Sequence, residues 1–169
     1  GVDAFYDCDL LSEVTIPCVQ TIGRYAFSRS DALTTVSSSS VITVEDGVFW
    51  QCAKLESVSF INAVSIGNDA FSESSIVSAD LPSAQTLGNY AFNWCTSLTH
   101  AYLPNVESIG TNTFYSCKKL ESINVQSANA IGEKAFYCCH SLKETHFDSV
   151  QSISEYSFSN CSSLLNVSF

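Results

Sequence analysis

Residues 98–117 read LTHAYLPNVESIGTNTFYSC. In the first half Leu98, Ala101 and Leu103 are apolar, and His100 and Tyr102 stand between them. Alternation with a period of two marks a short strand with one face turned inward. The rhythm then changes. Ile109-Gly110-Thr111-Asn112-Thr113-Phe114 reads as a tight turn followed by a short helical or 3-10 piece. Gly110 is read there as a residue that reaches positive φ at low cost.

This unit recurs along the whole chain. Phe5, Phe27, Phe49, Phe71, Phe92, Phe114, Phe136 and Phe158 form one evenly spaced column, in which only the step from Phe71 to Phe92 is shorter than the rest. The residue ahead of Phe is Ala, Val, Thr or Ser, as in Ala26, Val48, Thr113 and Ser157. Three residues after it comes Cys8, Ser30, Cys52, Ser74, Cys95, Cys117, Cys139 or Cys161. An aliphatic column follows (Leu11, Leu33, Leu55, Ile76, Leu98, Leu120, Leu142, Leu164), then inward pairs such as Val58 and Phe60. Glycine closes the unit at 23, 67, 88, 110 and 132. Internal repetition at a period of about 22 residues signals a solenoid.

One unit cannot fold alone. Ordering about 22 residues costs about 33 kcal/mol, at roughly 1.5 kcal/mol each. About six apolar side chains return roughly 1.5–3 kcal/mol each, and only if buried on both sides. Stacking supplies the missing sides, so stability is a nearest-neighbour property. With strands about 4.8 Å apart, eight would make a parallel sheet roughly 34 Å long. The expected architecture is a leucine-rich-repeat solenoid of the α/β class, with right-handed coils of about 22 residues. It carries a parallel β-sheet on one face and turns with short helical or 3-10 segments on the other. All of 1–169 is one domain of about seven and a half repeats. Two soft places are expected: Ser37-Ser38-Ser39-Ser40, which puts Ser38 in an inward slot, and the coil that loses a residue between Phe71 and Ile76.

The columns resemble the BspA-like, or Treponema-type, leucine-rich repeats, whose pattern is L-x-x-[IV]-x-L-P-x-x-[VL]-x-x-I-G-x-x-A-F-x-x-C. The resemblance covers the whole chain. Proline holds its family slot only at Pro17, Pro82 and Pro104, and the unit is one residue short of the family's usual length. The resemblance implies a cell-surface or secreted protein that adheres to host matrix, cells or other microbes. It carries no catalytic residues.

The bulk composition narrows the choice of partner. Seven basic and 17 acidic residues give a net charge of −10, the wrong sign for nucleic acid or for a polybasic membrane contact. No apolar run approaches the roughly 18 residues that a membrane-spanning helix needs, so no membrane insertion is expected. Abundant Ser and Thr with scarce Lys suit an exported protein. The lack of an initiating Met and the abrupt ends read as a piece of something longer, or as ends that stack on another molecule.

No G-x-S-x-G, H-E-x-x-H, P-loop or dinucleotide fingerprint occurs, so neither catalytic residues nor a cofactor is expected. The cysteine column has three readings. It can fill space as a small hydrophobe. Cys95, Cys117, Cys139 and Cys161 can instead pair as disulfides, although stacked residues suit the dihedral poorly. Cys138-Cys139-His140 is a thin zinc option, since no Cys-x₂-Cys supports it. On the outward strand face, one row reads Asp80, Tyr102, Asn124, His146 and its neighbour Ser78, His100, Ser122, Glu144. These form either an ordinary solvated face or a ligand-contact patch, with Asp80, His100, Tyr102, Asn124, Glu144 and His146 as the candidate contacts. Trp50, Trp94, Tyr115 and Tyr137 follow the Phe column and read as inter-coil packing or a second interaction strip. Asn160 and Asn166 open glycosylation triplets. The expected activity is a non-enzymatic extracellular binding module for a protein or glycan. The alternative is a spacer or fibre segment that self-associates end to end.

Overall fold

The computed structural model describes residues 1–168. Each coil contributes one three-residue strand and one two-residue strand, and a wall of turns follows. The three-residue strands are β1 (Glu13–Thr15), β3 (Thr35–Ser37), β5 (Ser57–Ser59), β7 (Ser78–Asp80), β9 (His100–Tyr102), β11 (Ser122–Asn124), β13 (Glu144–His146) and β15 (Asn166–Ser168). The two-residue strands are β2 (Thr21–Ile22), β4 (Thr43–Val44), β6 (Ser65–Ile66), β8 (Thr86–Leu87), β10 (Ser108–Ile109), β12 (Ala130–Ile131) and β14 (Ser152–Ile153). Every pairing is parallel and in repeat register, for example His100 with Ser122 and Tyr102 with Asn124.

The core follows the sequence columns. Phe27, Phe49, Phe71, Phe92, Phe114 and Phe136 are buried, as are Leu33, Leu55, Ile76, Leu98, Leu120 and Leu142. The phenylalanine rings stack in register from Phe5 to Phe158, with centroids 5.1–5.6 Å apart and planes within 14° of parallel. Such pairs add about 0.5–1.5 kcal/mol each beyond the area they bury. Ser38 does fall inside, but its hydroxyl is satisfied. It donates to the Ile16 carbonyl at 2.9 Å and accepts from the Ser40 and Val41 amides.

The turn wall departs from expectation, because the described residues contain no helix of any kind. Its amides alternate in direction. Tyr25, Phe27 and Arg29 donate to Asp46, Val48 and Trp50 of the next coil, at 3.0, 3.0 and 2.9 Å. Ala26, Ser28 and Ser30 between them donate back three residues. A helix would need every amide to point along its own chain. The alternation is set by left-handed residues two before and two after each Phe, such as Tyr25 (φ 51°), Arg29 (59°), Glu73 (59°) and Trp94 (57°). All three forward ladders run without a break from coil to coil.

The glycine slot also has a different cause. Of the glycines only Gly47 has positive φ, and it lies outside the slot. At Gly67 a Cβ would lie 2.5 Å from the Glu45 carbonyl carbon, and at Gly88 it would lie 2.4 Å from Asn68 N and Gly67 C. At these positions glycine fits because the preceding coil's backbone occupies the side-chain position, whereas the slots ahead of Phe49 and Phe158 hold Glu45 and Ser154.

The three-residue strand row is segmented. It forms three ladders, β1-β3-β5, β7-β9-β11 and β13-β15. Each interruption borders a coil whose last inward strand position is phenylalanine. Phe60 follows β5 and Phe147 follows β13, where other coils place Ile16, Ser38, Leu81, Leu103 and Val125. Phe60 packs on Phe49 at 6.0 Å, and Phe147 meets Phe158 edge-on at 6.1 Å. A ring in a slot otherwise filled by smaller side chains spreads its coil, because a close-packed interior absorbs added volume by moving backbone.

Candidate binding surface

Strand alternation turns the middle residue of each three-residue strand inward and its neighbours outward. Register then brings the outward residues into rows. Ser78, His100 and Ser122 lie side by side, as do Asp80, Tyr102 and Asn124. Tyr102 is 45% exposed. Thr99 Oγ1 lies 2.9 Å from His100 Nδ1.

Glu144 and His146 lie across the interruption. Their strand pairs with β15, placing Glu144 beside Asn166 and His146 beside Ser168, and is not hydrogen-bonded to β11. A recess of about 260 Å³ opens there, lined by Ser122, Ile123, Glu144, Thr145, His146, Asn166 and Ser168. The six predicted contacts therefore split. Asp80, His100, Tyr102 and Asn124 form one continuous ladder face, and Glu144 and His146 form the far side of the recess.

Two polar atoms at this interruption lack partners. Thr145 occupies the inward position of β13 and is only 5% exposed, yet its Oγ1 has no hydrogen bond. Asn124 Oδ1 is also buried and unpartnered. A buried polar atom left unpaired costs about 1–3 kcal/mol. The His146 ring is held at both nitrogens. Nε2 lies 2.7 Å from Asp148 Oδ1, and Nδ1 is bonded to the Ser168 hydroxyl. With the ring neutral, Nε2–H donates to the carboxylate and the hydroxyl donates to Nδ1. Sequence reasoning missed Asp148 and Ser168. The only available signal for Ser168 was its place in the same outward column as His146.

The cysteine column serves the core. All eight cysteines are free thiols. Cys52, Cys95, Cys117 and Cys139 are buried and donate to the carbonyls of Phe27, Phe71, Phe92 and Phe114 at 3.0–3.2 Å. Cys161 does the same to Phe136 at 3.0 Å, and Ser30 makes the equivalent bond to Phe5 at 2.9 Å. Burial pushes the Cys52 and Cys95 thiols up to about 12, and Cys117 also moves well above its ordinary value. Hydrogen bonding to Cys161, together with burial, holds the proton on Cys139. The structure does not gather Cys138, Cys139 and His140. Among the described residues no group of three His, Cys, Asp or Glu side chains could hold a metal ion. Among the same residues no helix is long and apolar enough to cross a membrane.

The turn wall carries the second set of candidates. Tyr115 and Tyr137 are half-buried and stacked 5.1 Å apart, and Trp94 tilts onto Tyr115 at 6.2 Å while staying 45% exposed. Trp50 Nε1 donates to Glu73 at 3.4 Å. Asn160 is exposed and lines a recess of about 390 Å³ with Lys134, Tyr137, Tyr156 and Ser159.

A family model described as the BspA type leucine rich repeat region matches residues 1–99 and 85–169, with six copies. Among solved structures, the chain is similar to a leucine-rich repeat protein from Eubacterium ventriosum at 24% identity and a TM-score of 0.82, covering 92% of this chain and 44% of that one. It is similar to the T. pallidum leucine rich repeat protein at 26% identity and a TM-score of 0.73, covering 83% and 69%. A leucine rich cell surface protein from Faecalibacterium prausnitzii matches at 21% identity and a TM-score of 0.51, covering 99% and 75%. The chain thus spans less than half of the E. ventriosum protein. No curated protein matches the sequence.

Proposed function

This chain belongs to the BspA type leucine-rich repeat family, and from that premise we propose that it is a non-enzymatic binding module of a bacterial surface, engaging a protein or glycan through the outward face of its three-residue strands. The carrying observation is the parted ladder between β11 and β13, which sets a recess, lined in part by Thr145 with its unpartnered hydroxyl, beside an aromatic and polar row. An unsatisfied hydroxyl on a residue that lines a recess is a group that a ligand can satisfy, and the gain is the desolvation cost already borne by the free protein. Tyr102 supplies a rigid amphipathic contact of the kind favoured at interfaces. His146, its ring held at both nitrogens by Asp148 and Ser168, supplies a flat ring of fixed orientation for contact. The cell-surface description of the F. prausnitzii neighbour supports placement outside the cell. Host matrix and cell-surface components are the proposed partners.

The test is a panel of purified matrix proteins and glycans screened against the wild-type chain and the double variant Tyr102→Ala, His146→Ala. Both side chains are exposed, so the variant should fold normally. Binding should fall by at least tenfold in the variant while circular dichroism stays the same. Binding that is unchanged would remove the strand face as the site.

A further inference from the structure

The one coil that is a residue short coincides with a third recess, also on the turn wall. The step from Phe71 to Phe92 is the single short one, and the residue is missing from the turn after Glu73. A recess of about 440 Å³ lies at that point, lined by Glu73, Trp94 and Thr96. Pockets of roughly 300–1,000 Å³ are the size that takes small ligands. We propose that this recess is a binding site for neutral sugars, separate from the strand-face site.

The chemistry of the three side chains selects the ligand class. Trp94 is 45% exposed and is held in a left-handed conformation (φ 57°), which bulky residues rarely adopt. Its ring is braced by Tyr115 at 6.2 Å and carries the Lys118 ammonium 5.4 Å from its centroid. Glu73 is fixed in direction, because Trp50 Nε1 donates to Oε1 at 3.4 Å and Gln51 Nε2 donates to Oε2 at 3.1 Å. Its oxygens retain lone pairs for further donors. Lys118 on the ring repels a cationic ligand, and the Glu73 carboxylate repels an anionic one. A neutral polyol with one apolar face meets both constraints. Its C–H face lies against the indole, and a pair of hydroxyls donates to the carboxylate. Thr96 adds a hydroxyl at the rim.

The test uses saturation-transfer NMR on the whole chain, with neutral trisaccharides of α- and β-linked glucose, mannose, galactose and N-acetylglucosamine as probes. At least one probe should receive saturation. Trp94→Ala should abolish the transfer, and Glu73→Gln should weaken the affinity at least fivefold. One alanine inserted after Ser75 restores the full coil length and should abolish binding by filling the recess. That insertion provides an independent variant if Trp94→Ala fails to fold. The Trp94→Ala, Glu73→Gln and insertion variants are compared in the Tyr102→Ala, His146→Ala background, so that transfer at the strand face does not contribute. No transfer to any probe would overturn the proposal. So would transfer that survives both Trp94→Ala and the alanine insertion, or binding confined to charged probes such as arginine methyl ester or inorganic phosphate.

Discussion

At the residue scale, the cysteine column shows how one physical need can be met by two side chains. In six coils the carbonyl of the phenylalanine faces the next coil, and a short side chain carrying a proton satisfies it. Cys52, Cys95, Cys117 and Cys139 do so with sulfur, and Ser30 does so with oxygen. The mixture of Cys and Ser in one column was legible in the sequence. The carbonyl partner was not, because it lies more than a full repeat away in the neighbouring coil. Buried thiols with raised pKa values stay protonated and unreactive, since the thiolate is the nucleophile. Alkylation at pH 8 followed by peptide mapping should label the exposed Cys18 rapidly in the folded protein. Cys52, Cys95, Cys117 and Cys139 should react only in denaturant. Rapid labelling of those four in the native state would contradict the assignment.

At the element scale, the strands were readable and the turns were not. Alternation around His100, Ala101 and Tyr102 located β9, and repetition located the other seven strands of that row. The helical reading of the turn wall failed because the left-handed positions carry Tyr, Arg, Glu, Trp and Lys, with glycine only at Gly47. No local signature announces a left-handed lysine. The stacked coil imposes that conformation through the ladder of forward amides. The parting of β11 from β13 was equally hidden, since it arises from the volume of Phe147 in a stacked context. Thr145 bears part of the cost. Its column holds Val14, Val36, Val58 and Val167 in other coils, and its hydroxyl has no partner. Thr145→Val should therefore stabilise the fold by about 1 kcal/mol, read as a higher urea midpoint with an unchanged slope. A lower midpoint would mean that the hydroxyl is satisfied in solution.

At the scale of the whole molecule, rows of different continuity share one stack. The turn wall has three unbroken amide ladders and a continuous phenylalanine stack. The three-residue strand row is cut twice. The Phe column that fixed the repeat in the sequence is thus also the spine that holds the coils together. The strand row can part beside a candidate site without unstacking the protein. The −10 net charge adds self-repulsion that salt screens. The candidate patch was only half legible from sequence. Its rows followed from repeat register, whereas the recess that divides it followed from packing.

The most direct test of this division is native-state hydrogen exchange resolved residue by residue. Opening energies vary across a fold with its local bonding. The amides of Phe49, Phe71, Phe92 and Phe114 should be among the slowest to exchange. Amides at the facing edges of β11 and β13 should exchange at least a hundredfold faster, while those joining β7, β9 and β11 stay protected. Uniform protection along the strand row, with the phenylalanine amides exchanging first, would contradict a stack held by its turn wall.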